Sequence, residues 1–214
     1  MIRIVLADDH TIVREGLKQL LLAADGLEIV GEARDGHEAM KAVRELDFDL
    51  LLLDMSMPGK SGIELIKQVR AEKPKLRILI LSMHEERQYA IRAIRAGASG
   101  YLTKESASRQ LVEAIRKVAS GGAFISAEVA EQLALGAMPD AKGALHESLS
   151  DREFQVFRML AEGKSVSDIA ERLHLSVKTV STHKANILQK MRMETVGELI
   201  RYALAHRLVE ESAG

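Results

Sequence analysis

Asp49-Leu50-Leu51-Leu52-Leu53-Asp54-Met55-Ser56-Met57-Pro58-Gly59 carries four consecutive leucines closed by a carboxylate and a Pro-Gly turn signal. An unbroken apolar run of this length describes a strand covered on both faces, the condition of a parallel sheet. Pro58 and Gly59 turn the chain away, so Asp54 is expected on a short, rigid loop. Outward from it, apolar runs at 3–7, 28–33, 77–82 and 99–102 alternate with amphipathic helical patterns at 11–23, 36–46, 62–72, 86–96 and 107–120. Parallel strands need crossover helices of one hand, so the expected fold class is α/β, a (βα)5 doubly wound parallel sheet. Gly97 and the Gly121-Gly122 pair stand where helices would stop.

In an open parallel sheet the carboxyl ends of neighbouring strands converge on one crevice. Asp8, Asp9, Asp54, Ser82 and Lys104 all stand at or just past the end of an apolar run. Taken singly, each is an ordinary cap, turn or surface residue; their weight comes from the shared crevice. Three carboxylates so close cannot all remain ionised without a cation, which predicts an oxygen-bound divalent ion, Mg²⁺. Asp54 is the candidate nucleophile, able to attack phosphorus and form an acyl phosphate. Asp8 and Asp9 would hold the ion, while Ser82 and Lys104 would each meet an oxygen of the phosphoryl group.

Composition sets outer bounds. At 214 residues and 47% apolar content the chain suffices for two ordinary domains. It has no cysteine, which excludes disulfides and thiolate metal sites and suits a reducing cytoplasm. No apolar stretch reaches membrane-spanning length and no signal segment is evident, so a cytoplasmic protein without membrane contact is expected. A net charge of −1 does not by itself suggest nucleic acid.

The character changes after Gly122. A helical pattern at 126–135 gives way to an aperiodic stretch at 136–146, and from Leu149 only short helical patterns remain. The expected division is a first domain at 1–122, a helical extension and linker at 123–147, and a small all-α domain at 148–214. Between Arg172 and Met193 stand five Lys/Arg residues and no Asp or Glu. On a helix from Val177, residues Lys178, Ser181, Thr182, Ala185 and Gln189 share one face, with Val180, Ile187 and Met191 opposite. With the helical pattern at 165–173, the turn His174-Leu175-Ser176 and Ser176 as N-cap, this is a helix-turn-helix, although the turn lacks a glycine. Short polar side chains on the outer face suit a major groove.

Val5-Leu6-Ala7-Asp8-Asp9-His10, Leu53-Asp54-Met55-Ser56-Met57-Pro58-Gly59 and Gly100-Tyr101-Leu102-Thr103-Lys104 resemble the receiver domain of bacterial two-component response regulators. The stretches 149–153, 161–170, 179–183 and 186–190 resemble the four-helix LuxR/NarL-type DNA-binding domain. The resemblance implies phosphorylation of Asp54 by a sensor histidine kinase, Mg²⁺ on Asp8, Asp9, Asp54 and the Ser56 backbone, and Ser82 with Tyr101 as a switch pair beside Lys104. Ser56 and His84 would influence the lifetime of the phosphoryl group. In the output domain it implies that Lys178, Thr179, Ser181, Thr182, Lys184 and Ala185 lie near double-stranded DNA, the two lysines on phosphates. Many relatives carry lysine where Ser181 stands and a basic residue where Ala185 stands, so base preference does not transfer. Glu105 replaces the proline that many receivers have after the lysine.

Val196, Leu199, Ile200 and Ala203 form the apolar stripe of the last helix, the element through which such domains pair; in a monomer the same stripe would cover the core. The expected molecule is a transcription regulator of the NarL/FixJ class, not an enzyme beyond its own Mg²⁺-dependent phosphotransfer and dephosphorylation. It would form a homodimer on activation, with RNA polymerase a further partner. A carboxylate-nucleophile phosphatase shares the Asp-plus-metal logic but lacks a second acid/base beside Asp54. A nucleotide-binding fold lacks its glycine-rich loop after the first strand. An RNA-binding output lacks stacking aromatics in the basic segment.

Overall fold

The computed structural model describes residues 1–55, 57, 62–82, 87–135, 144–206 and 208–209. They form two compact units, divided between Leu135 and Gly136. The first unit runs β1 (Ile2–Ala7), α1 (Thr11–Leu22), β2 (Leu27–Ala33), α2 (Gly36–Glu45), β3 (Leu50–Asp54), α3 (Gly62–Glu72), β4 (Arg77–Ser82), α4 (Arg87–Arg95), β5 (Gly100–Thr103), α5 (Lys104–Ala119) and α6 (Ala127–Leu135). All strands are parallel, in the order β2-β1-β3-β4-β5. The order reverses direction between β1 and β3, which is where such sheets open a crevice.

Successive residues of each inner strand point to opposite faces. Ile4, Leu6, Leu50, Leu52, Leu79 and Leu81 pack with Leu17 and Leu21 of α1 and Leu111 and Ile115 of α5. Val5, Leu51, Leu53, Ile78 and Ile80 pack on the other side, with Val43 of α2, Ile66 of α3 and Ile91 of α4. Both faces being covered explains why β3 reads as unbroken leucine rather than as an alternation.

Two features depart from the sequence reading. Helix α5 begins at Lys104, three residues before the expected start at Ala107, because the Thr103 side chain caps it by accepting from the Ser106 N–H at 3.2 Å. The chain after α5 also stays with the sheet. Phe124 makes a parallel bridge to Gly100, the Tyr101 N–H donates to the Phe124 carbonyl at 2.8 Å, and Val129 of α6 is buried in the α2–α3–α4 face. A side chain at Gly100 would meet the Phe124 carbonyl, Leu79 and Val118 at 2.9–3.0 Å, so only glycine permits this approach. Gly97 and Gly121, with φ of +112° and +98°, follow α4 and α5 as stops.

The second unit holds a short 3-10 turn (Leu145–Ser148) and helices α7 (Asp151–Ala161), α8 (Val166–Arg172), α9 (Val177–Met191) and α10 (Val196–Ala205). Capping boxes start three of them: Ser150 with Glu153, Ser165 with Asp168, and Thr195 with Glu198. Phe154, Phe157, Ile169, Val180, Ile187 and Met191 are buried at its centre. Between α8 and α9, His174 takes a left-handed φ of 51°, the conformation that the missing glycine would have supplied. His146, also buried, ties the 3-10 turn to α10 through Nδ1 and the Tyr202 hydroxyl, 3.0 Å apart.

Candidate phosphoacceptor pocket and nucleic-acid interface

Strand pairing places the pocket. Ala7 is in register with Leu53, Asp54 with Leu81, and Ser82 with Thr103, so the ends of β1, β3, β4 and β5 lie side by side. The Asp8 N–H donates to the Ala33 carbonyl at 3.0 Å and the Met55 N–H to the Leu81 carbonyl at 3.1 Å, which holds the backbone beside both carboxylates. Asp54 and Ser82 are each 1% exposed, Asp8 is fully buried, and Asp9 is partly open. Tyr101 is buried and lines a cavity of about 300 Å³ with Thr103, Ser106, Gln110, Phe124 and Val129.

Lys104 bridges two of the acids. Its Nζ donates to Asp54 Oδ2 at 2.8 Å and lies 2.7 Å from Asp8 Oδ2, the latter an ion pair short of hydrogen-bond alignment. Burial opposes the ammonium charge, but the Asp54 and Asp8 carboxylates outweigh it and hold the lysine above its ordinary value. Among the described residues Lys104 thus pairs with two carboxylates that are wholly buried, with the Asp9 carboxyl alongside. One oxygen or nitrogen from each of Asp8, Asp9, His10 and Asp54 lies within 4.8 Å of the others, a spread that a single divalent ion can span. Among the described residues the buried Asp9 Oδ1 also receives no hydrogen bond. This donor set fits the expected ion.

Sequence reasoning passed over two neighbours. His10 directly follows the acidic pair, a signal visible in the sequence, and its ring enters the same cluster. Arg14, 4% exposed on α1, donates from Nη1 to the Asp8 carbonyl at 2.8 Å and from Nε to Glu32 at 3.0 Å, bracing the loop after β1. A lone arginine on an amphipathic helix gives no such indication. Ser56 and His84 lie outside the described residues.

In the second unit α8 and α9 form the expected helix-turn-helix. Ile169, Ala170 and Leu173 are buried, and the Ser176 hydroxyl accepts from the Thr179 N–H at 3.0 Å, capping α9. Lys178, Thr179, Ser181, Thr182 and Ala185 are exposed and Lys184 half-exposed, while Val180, Ile187 and Met191 face inward. The Thr182 hydroxyl donates to the Lys178 carbonyl at 3.0 Å, leaving its lone pairs outward. Val177, 52% exposed at the head of α9, was not singled out from the sequence; it is the size and polarity to meet a thymine methyl.

Helix α9 is held to α7 by Lys190, whose Nζ lies 2.6 Å from Oε2 of the buried Glu153. Burial pushes the Glu153 carboxyl up, but the Lys190 and Ser150 hydrogen bonds outweigh it and hold it below the usual glutamate value. Its stabilising contribution is therefore complete above the unfolded-state value and disappears as pH falls through the lower, folded one. Urea titrations of Glu153→Gln will accordingly show a shallower acid loss of stability in this unit than the parent chain; equal slopes would mean that the pair contributes nothing.

One expectation needs correction. Leu199 and Ala203 are fully buried within the unit, on a helix that packs against α7, so neither is available as a pairing surface there. Val196 and Ile200 remain half-exposed. The stripe divides: its inner half covers the core.

Residues 4–116 match the response regulator receiver domain family, and residues 147–203 the luxR family of bacterial regulatory proteins. The chain is 37% identical over 214 residues to response regulator GacA of Pseudomonas viridiflava, covering 100% of both. It is 37% identical over 209 residues to response regulator UvrY of Escherichia coli, covering 97% of this chain and 96% of that one. Among solved structures it resembles RcsB of Salmonella enterica serovar Typhimurium bound to a promoter with the phosphomimetic beryllofluoride. That alignment has a TM-score of 0.65 at 29% identity, over 96% of this chain and 100% of that one. A second RcsB-DNA complex aligns at a TM-score of 0.58 and 29% identity, over 95% and 98% of the respective chains. Among the described residues no helix is long and apolar enough to cross a membrane. An acidic crevice at the carboxyl ends of a five-stranded parallel sheet, followed by a helix-turn-helix of the luxR type, makes this chain a member of the two-component response regulators of the NarL/FixJ family.

Proposed function

We propose that Asp54 is the phosphoacceptor of a sensor histidine kinase and that its modification controls binding of α9 to double-stranded DNA, and so transcription. The observation that carries this is the buried Asp54 carboxylate, hydrogen-bonded to Lys104 at 2.8 Å beside a second buried acid. An Asp54 oxygen attacks the donor phosphorus, the bond from phosphorus to the donor breaks, and an acyl phosphate remains. Lys104, already charged, pairs with an oxygen of the new group, and the Ser82 hydroxyl with another. Asp8, Asp9, Asp54 and the Ser56 backbone hold Mg²⁺, which when bound neutralises charge on the phosphoryl oxygens. Ser56 and His84 tune the hydrolysis that resets the site.

The signal leaves through Tyr101, which shares a cavity wall with Phe124 and with Val129 of α6. A change in its ring position is felt by the extension that leads to the second unit. Functionally the chain divides into a receiver at 1–122, an extension and linker at 123–147 and a DNA-binding domain at 148–214. Lys178 and Lys184 contact phosphates, and Thr179, Ser181, Thr182 and Ala185 face the groove. The solved complexes of RcsB with DNA support this use of the second unit. Dimerisation on activation, through Val196 and Ile200, gives paired half-sites about one helical turn apart. The protein works in the cytoplasm, with RNA polymerase as a further partner.

Incubation with acetyl phosphate and Mg²⁺, followed by intact mass measurement, should add one phosphoryl group, and Asp54→Asn should lower the yield at least ~100-fold. An unchanged yield in Asp54→Asn would place the modification elsewhere.

A further inference from the structure

The metal-binding role proposed for the acidic crevice leaves one neighbour without a task. We infer that His10 Nδ1 is a direct ligand of the divalent ion, and that it biases the site from Mg²⁺ towards first-row transition ions such as Mn²⁺. The inference rests on the metal-site reading above.

The geometry is that of ligands around one ion. His10 Nδ1 lies 2.9 Å from Asp9 Oδ1, 3.5 Å from Asp8 Oδ1 and 3.8 Å from Asp54 Oδ2. With bonds of about 2.1 Å, neighbouring ligands of an octahedral ion stand about 3 Å apart and opposite ones about 4.2 Å; the Asp9 separation matches a neighbouring pair, and the other two lie between these values, about half an ångström or less from one of them. At 2.9 Å the imidazole should hydrogen-bond to Asp9, yet the buried Asp9 Oδ1 receives no aligned donor among the described residues, the imidazole included. Two adjacent ligands of one ion have this relation, because the ring nitrogen aims at the ion and not at its neighbour.

Asp8 divides its two oxygens accordingly. Oδ2 faces Lys104 at 2.7 Å, whereas Oδ1 accepts the His10 backbone N–H at 2.8 Å and faces the ring. Lysine and ion thus use different oxygens of Asp8, while Asp54 Oδ2, which accepts from Lys104 at 2.8 Å, also faces the His10 ring and would be shared between them. The backbone bond also fixes the start of the His10 side chain against the pocket, independently of what the ring does.

Donor chemistry decides selectivity. Three carboxylates suit Mg²⁺ and Mn²⁺ alike, but an imidazole nitrogen favours Mn²⁺ and its heavier neighbours, while Mg²⁺ holds oxygen and water in preference. The ring is about half exposed, so exchange of its own water for an ion needs no rearrangement of the core.

The full-length protein, loaded with Mn²⁺, should show ¹⁴N hyperfine coupling from a bound imidazole in pulsed electron paramagnetic resonance, and His10→Ala should abolish it. Calorimetric titration should find Mn²⁺ affinity reduced ~10-fold or more in His10→Ala, and Mg²⁺ affinity reduced by less than about threefold. His10→Gln, which keeps the size and polarity but offers no imidazole, should behave like the alanine variant. Ion binding without nitrogen coupling, or equal losses for both ions, would overturn the role of His10 and leave the acidic site standing. Failure of the parent chain to bind either ion would overturn the metal site itself.

Discussion

Lys104→Met should lower the stability of the receiver unit by about 3 kcal/mol in metal-free buffer, and a divalent ion should restore most of the loss. The Asp8 and Asp54 side chains are fully buried and Lys104 is 7% exposed, so solvent cannot replace the missing ammonium. Methionine roughly preserves the volume and removes the charge together with its hydrogen bond to Asp54. Two buried carboxylates then lose the ammonium that, among the described residues, bridges them, and one must be protonated or the strand ends must part. Adding Asp54→Asn to the same chain removes half of the conflict, so the double variant should be more stable than Lys104→Met alone, a coupling that additive effects would not give. Urea unfolding in chelator and in millimolar Mg²⁺ reads both effects. Equal stability of parent and variant in chelator would mean that the acids are not charged as the pocket requires.

The second large effect concerns α9. Each phosphate contact contributes a slope of about −0.9 to the dependence of log affinity on log salt, which at 0.1 M is roughly eightfold in affinity relative to 1 M. Lys178→Ala and Lys184→Ala should each weaken duplex binding by about that factor and together by roughly 60-fold, with the salt slope reduced by about 2. Both side chains lie on the outer part of a helix whose inner face is Val180, Ile187 and Met191, so the fold should survive both changes. Ser181→Ala and Thr182→Ala should instead alter the preference among sequences while leaving the slope alone. Loss of affinity at every salt concentration, with no change in slope, would argue that the lysines act by holding α9 in place.

How much was legible in the sequence follows from the physics of each element. The sheet could be read because buried parallel strands leave unbroken runs such as 50–53, and β4 was placed at its observed bounds. The start of α5 was missed because Lys104, Glu105 and Ser106 carry no apolar period; a cap, not a buried face, begins that helix. The place of the extension was hidden for another reason. Phe124 and Val129 look like ordinary linker residues until Gly100 is seen to admit the backbone beside β5.

In the pocket, carboxylates, serine and lysine announced themselves by standing at strand ends. Arg14 could not, since its partners are a backbone carbonyl six residues away and Glu32 on a separate strand. The α10 stripe illustrates an ambiguity that patterning cannot resolve. Apolar spacing shows that Val196, Leu199, Ile200 and Ala203 share one face; only the packing shows that two of them are already covered.

The most direct test of the coupling between Asp54 and α9 is duplex-DNA affinity at fixed salt and Mg²⁺, with and without beryllofluoride, in the parent chain and in Asp54→Asn. The acyl-phosphate mimic should tighten sequence-selective binding at least ~10-fold in the parent and leave Asp54→Asn unchanged, a shift within the usual range for linked sites. Equal affinities in the parent with and without the mimic, or the same gain in Asp54→Asn, would contradict it.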